Sequence, residues 1–164
     1  MTDAIYAAEL VEVRLLGLPV SLRERSTEHS EELMREMTLI SQQLADGDGD
    51  DLPTRLVQLV ADVRSNFSVF TASADAQIEA AAEAGIEVID EITYHVPAAT
   101  GPYCEHLLAI IEETDEFCRQ GRHLLTLETP TDVYAYQRWI LGEFVRQTRG
   151  EPAMPWPEFQ PASD

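Results

Sequence analysis

The chain has 164 residues, enough for a single domain that buries about two-thirds of its unfolded surface. Its 30 acidic and 11 basic residues give a net charge of −19, which argues against binding to nucleic acid or to anionic membrane surfaces. The N-terminal sequence MTDAIYAAEL lacks a basic region and an apolar core of the signal-peptide type, and no apolar run approaches the ~20 residues of a membrane span. We therefore expect a cytoplasmic protein.

The first predicted elements are a strand and a long helix. Residues 10–16, LVEVRLL, alternate in polarity, and Gly17 and Pro19 follow them as an expected end to the strand. From residue 21 to about residue 45, apolar side chains recur at spacings of three and four, which predicts an amphipathic helix. The acidic, glycine-containing run at 46–51 is expected to end that helix.

Two further helices are predicted in the next third of the chain. One begins after Pro53, and another restarts at Ser73 or Asp75 and ends at Gly85. The alanine-rich run at 80–84 would allow a neighbouring helix to approach closely.

The pattern of residues 86–96 fits either a helix or a strand. Its isoleucines have helical spacing, but the β-branched content and the proline at 97 favour a strand at about 90–96. A helix is then predicted from Thr100 to Gly121, followed by a short strand candidate at 124–128.

The last predicted helix carries most of the interest. Thr129 is expected as its N-cap with Pro130 at the first helical position, and Gly150 is expected just past its end. Beyond Gly150, repeated prolines predict an extended tail that still carries the large rings of Trp156 and Phe159. Those rings would either fold back on the core of the chain or form a partner-binding segment.

Together these elements predict an α+β fold, predominantly helical, with about five helices and two or three short strands. We expect residues 1–150 to form a single domain and residues 151–164 to form the tail.

Candidate metal and catalytic motifs are weak. The aspartates at 46–51 begin like a calcium loop but have Asp51 where that loop needs glycine and Val57 where it needs glutamate. His29, Glu32 and Glu36 share a helix face, yet no paired motif accompanies them, and a half-buried structural histidine is the simpler interpretation. We predict no metal, no cofactor and no catalytic residue, because phosphate loops, nucleophile motifs and zinc spacings are all missing.

The two cysteines are not expected to pair. If Cys104 and Cys118 share one helix, they lie about 21 Å apart, whereas a disulfide requires Cα atoms within roughly 7 Å.

Several stretches together carry a family resemblance. They are residues 13–19 (VRLLGLP), 28–36 (EHSEELMRE), 124–127 (LLTL), 138–147 (RWILGEFVRQ) and the Pro-Trp pair at 155–156. The chain resembles a family of small proteins of high-GC Gram-positive bacteria, encoded near anti-sigma-factor ATPases and STAS-domain antagonists. The resemblance implies an accessory role in partner-switching control of transcription and assigns no catalytic residue.

Two functions follow as hypotheses. The first is a non-enzymatic regulator that contacts a protein of the anti-sigma or anti-anti-sigma type through Arg138, Trp139, Phe144, Arg146, Trp156 and Phe159, because arginine and aromatic residues dominate interface energies. The alternative is a small-molecule-sensing domain with a pocket lined by His29, Tyr94, Tyr103 and His123. A homodimer through the N-terminal strand or the alanine-rich helix face is a further expectation.

Overall fold

The computed structural model describes residues 9–43, 51–120 and 129–158. Within these ranges the chain forms β1 (Leu10–Pro19), α1 (Val20–Gln43), α2 (Leu52–Glu83), β2 (Val88–Pro97), α3 (Thr100–Arg119) and α4 (Thr131–Thr148), followed by a 3-10 turn at Trp156–Glu158. The fold is predominantly helical with one two-stranded antiparallel sheet, as the α+β prediction required. The described residues hold four helices, and none of them is long and apolar enough to cross a bilayer.

The predicted second and third helices are one helix of 32 residues, and this is why the helix count was wrong. Asp75 looked like a restart signal, because aspartate is common at helix N-termini. In the structure it lies inside α2 and accepts hydrogen bonds from Arg23 and from the Tyr94 hydroxyl, both at 3.3 Å. The Asp75 carboxylate therefore joins α2 to α1 and β2, and it does not mark the start of a helix. The true start of α2 is capped by Asp51, which accepts a hydrogen bond from the Thr54 backbone N–H at 2.9 Å.

The ambiguous segment at 86–96 is a strand, although it begins at Val88, earlier than predicted. It pairs with β1 in a register that places Val13 opposite Tyr94 and Leu15 opposite Ile92. These four side chains are buried and face the helices. The candidate strand at 124–128 lies outside the described residues.

Strand β1 also extends further than predicted, through Gly17 to Pro19. Gly17 has φ +70°, a left-handed conformation that glycine adopts without steric cost, and the pairing with β2 continues in the same register on both sides of it. A Cβ at this position would lie 3.3 Å from the Pro157 Cδ atom, because the turn after α4 packs against Gly17.

The apolar interior has two parts. One part, which we call the sheet-side core, joins the inner face of the sheet to α4 and the sheet ends of α1 and α2, with Tyr136, Trp139 and Phe144 among its members. The second part lies among the helices away from the sheet and is built around Met37, Leu56, Leu59 and Ile110.

Candidate functional site

A cavity of about 260 Å³ lies at the junction of the four helices. Each helix contributes three or more side chains to its wall, and Thr129, just before α4, completes it. An engineered cavity of about 150 Å³ with aliphatic and aromatic walls is known to bind benzene, so this volume is sufficient for a small organic molecule.

Most of the cavity wall is aliphatic. The apolar lining residues are Leu33, Met34, Leu56, Val60, Leu107, Ile111, Ile140 and Leu141. Among the residues that the structure describes, no tyrosine, tryptophan or phenylalanine lines the cavity, whereas the sheet-side core contains all three.

One side of the cavity is polar, and its first group of residues surrounds His29. The His29 Nε2 atom lies 3.0 Å from the Thr129 hydroxyl, and the Thr129 backbone N–H donates to Asp115 at 2.9 Å. The second carboxylate oxygen of Asp115 accepts a hydrogen bond from Arg119 at 2.8 Å. Although its side chain is buried, Asp115 therefore has its charge compensated by a guanidinium group and its oxygens satisfied.

A second polar group joins α4 to α1. The Gln137 amide nitrogen lies 3.3 Å from the Ser26 hydroxyl and 3.5 Å from the Ser30 hydroxyl. Gln137 is buried on the inward face of its helix, where an unpaired amide would be costly. These three side chains give the cavity uncharged hydrogen-bonding groups next to His29.

Burial lowers the pKa of His29 below its ordinary value of 6.5, and the nearby carboxylates of Glu32 and Asp115 oppose that shift without cancelling it. The imidazole is therefore neutral at pH 7 and presents one donor and one acceptor nitrogen. Arg64 lies at the exposed rim of the cavity, where water screens its charge. The polar side of the cavity thus carries no net charge, because His29 is neutral and Asp115 is paired with Arg119.

The structure describes three of the four residues of the predicted pocket, and these three do not meet in one site. Of them, only His29 lines the cavity. Tyr94 is buried in the sheet-side core with its hydroxyl on Asp75, and Tyr103 packs edge-to-face on Phe67 with ring centroids 5.0 Å apart. His123 lies outside the described residues.

The predicted partner-binding residues are largely occupied by contacts within the chain. Trp139 and Phe144 are only 1% and 7% exposed, which removes both rings from the surface that a partner could reach. The Trp139 indole N–H donates to the Met154 carbonyl at 2.8 Å, and the Trp156 ring packs edge-to-face on Trp139 with centroids 5.6 Å apart. Trp156 therefore folds back on the core.

Two arginines of that set have different surroundings. Arg146 is bound to the carboxylates of Glu143 and Glu151 and donates to the Pro152 carbonyl at 2.9 Å, so it fastens the segment after α4. Arg138 is partly exposed and lies over the Tyr134 ring, 5.7 Å from its centroid. Phe159 lies outside the described residues.

The sequence pattern predicted Thr129 as the N-cap of α4, and this prediction is wrong. The helix begins at Thr131 with Pro130 in the capping position, and no side chain caps it. The Thr129 hydroxyl faces His29 instead and forms part of the cavity wall.

Metal and thiol chemistry find little support among the described residues. No group of three or more histidine, cysteine, aspartate or glutamate side chains there could hold a metal ion, and the aspartates at 46, 48 and 50 lie outside the described ranges. Both cysteines are free of disulfides, and burial raises the pKa of the Cys104 thiol to about 12. That thiol is therefore protonated and unreactive at neutral pH.

Most residues of this site carry only weak signals in the amino-acid sequence. Ser26 and His29 fall on the apolar stripe of the first helix, and a polar residue on such a stripe is a recognisable signal. Gln137 carries no such mark, because its partners Ser26 and Ser30 lie 111 and 107 residues away in the sequence. Asp115 carries none either, because its helix contains several other acidic residues and the local pattern does not distinguish it from them. Comparison of the chain with protein-family models, with curated proteins and with solved structures finds no match.

Proposed function

We propose that this chain is a non-enzymatic sensing domain that binds a small, uncharged, amphipathic molecule in the four-helix cavity. The observation that carries the proposal is the cavity itself, a void of about 260 Å³ with aliphatic walls and one polar side. Ligand sites are typically apolar hollows with a few placed polar groups, and many of them lie between the helices of bundles.

The lining defines the class of ligand. An apolar body would replace empty space against the leucine and isoleucine side chains, and each newly buried CH₂ contributes about 0.8 kcal/mol. A hydroxyl, carbonyl or amide would exchange hydrogen bonds with His29, Ser30 or Gln137. A charged group is disfavoured, because the neutral imidazole and the paired Asp115 offer no opposite charge inside the cavity.

The contacts of the polar residues support binding rather than catalysis. A general base needs a lone pair directed at the substrate, whereas Asp115 is engaged by Arg119 and by the Thr129 backbone, and His29 is engaged by the Thr129 hydroxyl. These contacts hold the polar side of the cavity in a fixed arrangement, which suits recognition of one hydrogen-bonding group.

The family resemblance supports a setting for such a sensor, an accessory role in sigma-factor partner switching. The signal would then pass to a protein of the anti-sigma or anti-anti-sigma type. Among the predicted contact residues that the structure describes, Arg138 is partly exposed and stacked on Tyr134, and this arginine–aromatic pair has the composition of interface anchors. Loss of affinity for a purified anti-sigma ATPase or STAS antagonist in Arg138→Ala, with wild-type thermal stability, would support that second part of the proposal.

The binding proposal is tested with linear alcohols from butanol to octanol, followed by ligand-observed NMR and by thermal shift. Wild-type protein is expected to bind the medium-length alcohols and to gain thermal stability, since a molecule that binds only the folded state stabilises it. Ile111→Trp would fill the cavity and abolish both effects.

Leu39→Trp is the matched control, because it places the same ring on the exposed side of α1, at a position that is 60% exposed. It should bind alcohols like the wild type. Equal binding by the Ile111→Trp variant, or no binding by the wild type at millimolar alcohol, would contradict the proposal.

A further inference from the structure

The two outer edges of the sheet differ in their hydrogen bonding. At β1, the Arg14 N–H donates to the Gln147 side-chain oxygen at 2.9 Å, and the Gln147 amide donates to the Arg14 carbonyl at 2.8 Å. The Gln147 side chain thereby takes the position of a third strand. It is itself held by Glu143, which accepts its second N–H at 2.8 Å. The outer edge of β1 is closed at this point.

The register defines what the opposite edge presents. The N–H and C=O of Arg14 both point away from β2, because both bind Gln147. Arg14 and its partner Thr93 are therefore a pair without mutual hydrogen bonds, and the N–H and C=O of Thr93 point outward from the sheet. Glu91 and His95, two residues to either side, share that orientation. Across residues 9–43, 51–120 and 129–158, no hydrogen bond satisfies the outward backbone groups of these three residues.

A groove follows this open edge. Two adjoining hollows of about 540 and 380 Å³ lie between β2 and α2, and both are lined by Gln77 and Ile92. At the end of the edge, Ile86 and Val88 are 47% and 52% exposed. Unpaired strand edges with apolar side chains beside them are templates for the addition of another strand.

We propose that a second copy of this chain binds here, with its β2 antiparallel to the first, forming a four-stranded sheet. A twofold axis through Thr93 would place Glu91 of each chain opposite His95 of the other, with the two Thr93 residues paired at the centre. Each cross-strand pair places the Glu91 carboxylate, which also binds Arg14 of its own chain at 3.2 Å, opposite an imidazole that can donate a hydrogen bond to it, and threonine pairs also stabilise sheets.

Other registers are less favourable. An axis through Glu91 opposes two carboxylates, and an axis through His95 opposes two imidazoles and brings Thr93 against Pro97, which lacks an N–H. A twofold axis through Thr93 also places Val88 opposite Ala98 of the second copy, because the two residues are equally distant in sequence from Thr93. The exposed valine would then be covered by a small apolar side chain.

The net charge of −19 per chain opposes dimerisation, but its long-range part is screened. At 0.15 M salt the Debye length is about 8 Å, so only neighbouring charges at the interface interact strongly. His95 would lie between Glu12 of its own sheet, 3.7 Å away in this structure, and Glu91 of the second copy. A cation at position 95 is therefore the favourable charge there.

The test is sedimentation equilibrium of the full chain from micromolar to millimolar concentration in 150 mM NaCl. Wild-type protein is expected to form dimers. Thr93→Pro removes an outward N–H without removing a hydrogen bond to β1, and should leave the protein monomeric. Thr93→Val keeps the N–H and the β-branched shape and should still dimerise. Circular dichroism checks that each variant is folded.

Two variants that change the charge at position 95 test whether the two strands pair in the proposed register. His95→Glu places like charges opposite each other at two symmetric positions and should weaken dimerisation by about twofold to thirtyfold. His95→Lys should strengthen it. A wild-type monomer at millimolar concentration, or a dimer indifferent to both Thr93→Pro and the charge at position 95, would overturn the proposal.

Discussion

The two parts of the apolar interior are built from different kinds of side chain and differ in how much space they leave. In the sheet-side core, the rings of Tyr136, Trp139 and Trp156 lie against one another, with centroids 5.6 to 6.1 Å apart. The four-helix junction has aliphatic side chains and a cavity of about 260 Å³. The chain thus has one region that is densely filled and one that can accept further atoms.

Polar groups show the same contrast. Glu143 is 2% exposed and is satisfied by Arg146, by Gln147 and by the Met154 backbone N–H at 2.9 Å, so this carboxylate joins the segment after α4 to the edge of β1. The polar residues of the cavity instead present neutral groups, those of His29 and Gln137, to the cavity of about 260 Å³. From this difference we infer that the sheet-side core acts as a frame and the cavity as the site of recognition.

The largest expected effect is the loss of the central ring of the frame. Trp139→Ala should lower the free energy of unfolding by about 3–5 kcal/mol, because it opens a large cavity and removes the hydrogen bond to Met154. Chemical denaturation measures this directly. A cost below about 1 kcal/mol would show that the frame is not densely packed.

Adding volume should separate the two regions. Val145→Phe in the sheet-side core should cost about 1–3 kcal/mol, because overpacking forces neighbouring side chains out of their preferred rotamers. Ile111→Phe at the cavity should cost less than 1 kcal/mol or stabilise the protein, because the added atoms enter existing space. Equal costs in thermal and denaturant unfolding would remove the distinction between the regions.

A smaller effect on the free energy of unfolding is expected from the protonation of His29. Its pKa is lowered in the folded protein by burial, so the unfolded chain binds a proton more readily. His29 therefore leaves stability unchanged above pH 6.5 and reduces it as the pH falls from 6.5 through the folded pKa. Unfolding curves between pH 5 and pH 8 should show this slope, and His29→Gln should flatten it. An unchanged slope in the variant would place the titration elsewhere.

The smallest effect belongs to a surface ion pair that lies outside both regions. Arg25 binds Asp132 at the start of α4, and both side chains are about half exposed. Arg25→Ala should leave the free energy of unfolding close to that of the wild type, because water and salt screen exposed pairs. A loss comparable with that of Trp139→Ala would mean that this contact holds the helix in place.

The helices were predictable from sequence because each has a regular apolar stripe, and the strand at Val88–Pro97 was favoured by its β-branched side chains. The length of α2 was not predictable, since Asp75 has the local character of a helix start and only its partners Arg23 and Tyr94 explain its place inside a helix. The sequence around Asp75 contains no information about Arg23, which lies 52 residues away.

The candidate site was less accessible to sequence reasoning. His29 was singled out because it is polar on an apolar stripe. The cavity itself is formed by side chains of all four helices together, and ordinary leucine and isoleucine residues make up much of its lining. Trp139 and Phe144 looked like contact residues because large rings serve interfaces and cores equally well, and only the packing of α4 against the sheet distinguishes the two.

The most direct measurement is a methyl-resolved NMR titration of the ¹³C-labelled protein with 1-hexanol. If the cavity is the site of recognition, the methyl groups of Leu33, Leu107, Ile111 and Leu141 should shift in a saturable manner while those of Val13 and Leu15 in the sheet-side core stay unchanged. No saturable shift at the cavity, or shifts of equal size in both regions, would contradict the assignment of the cavity as a ligand site.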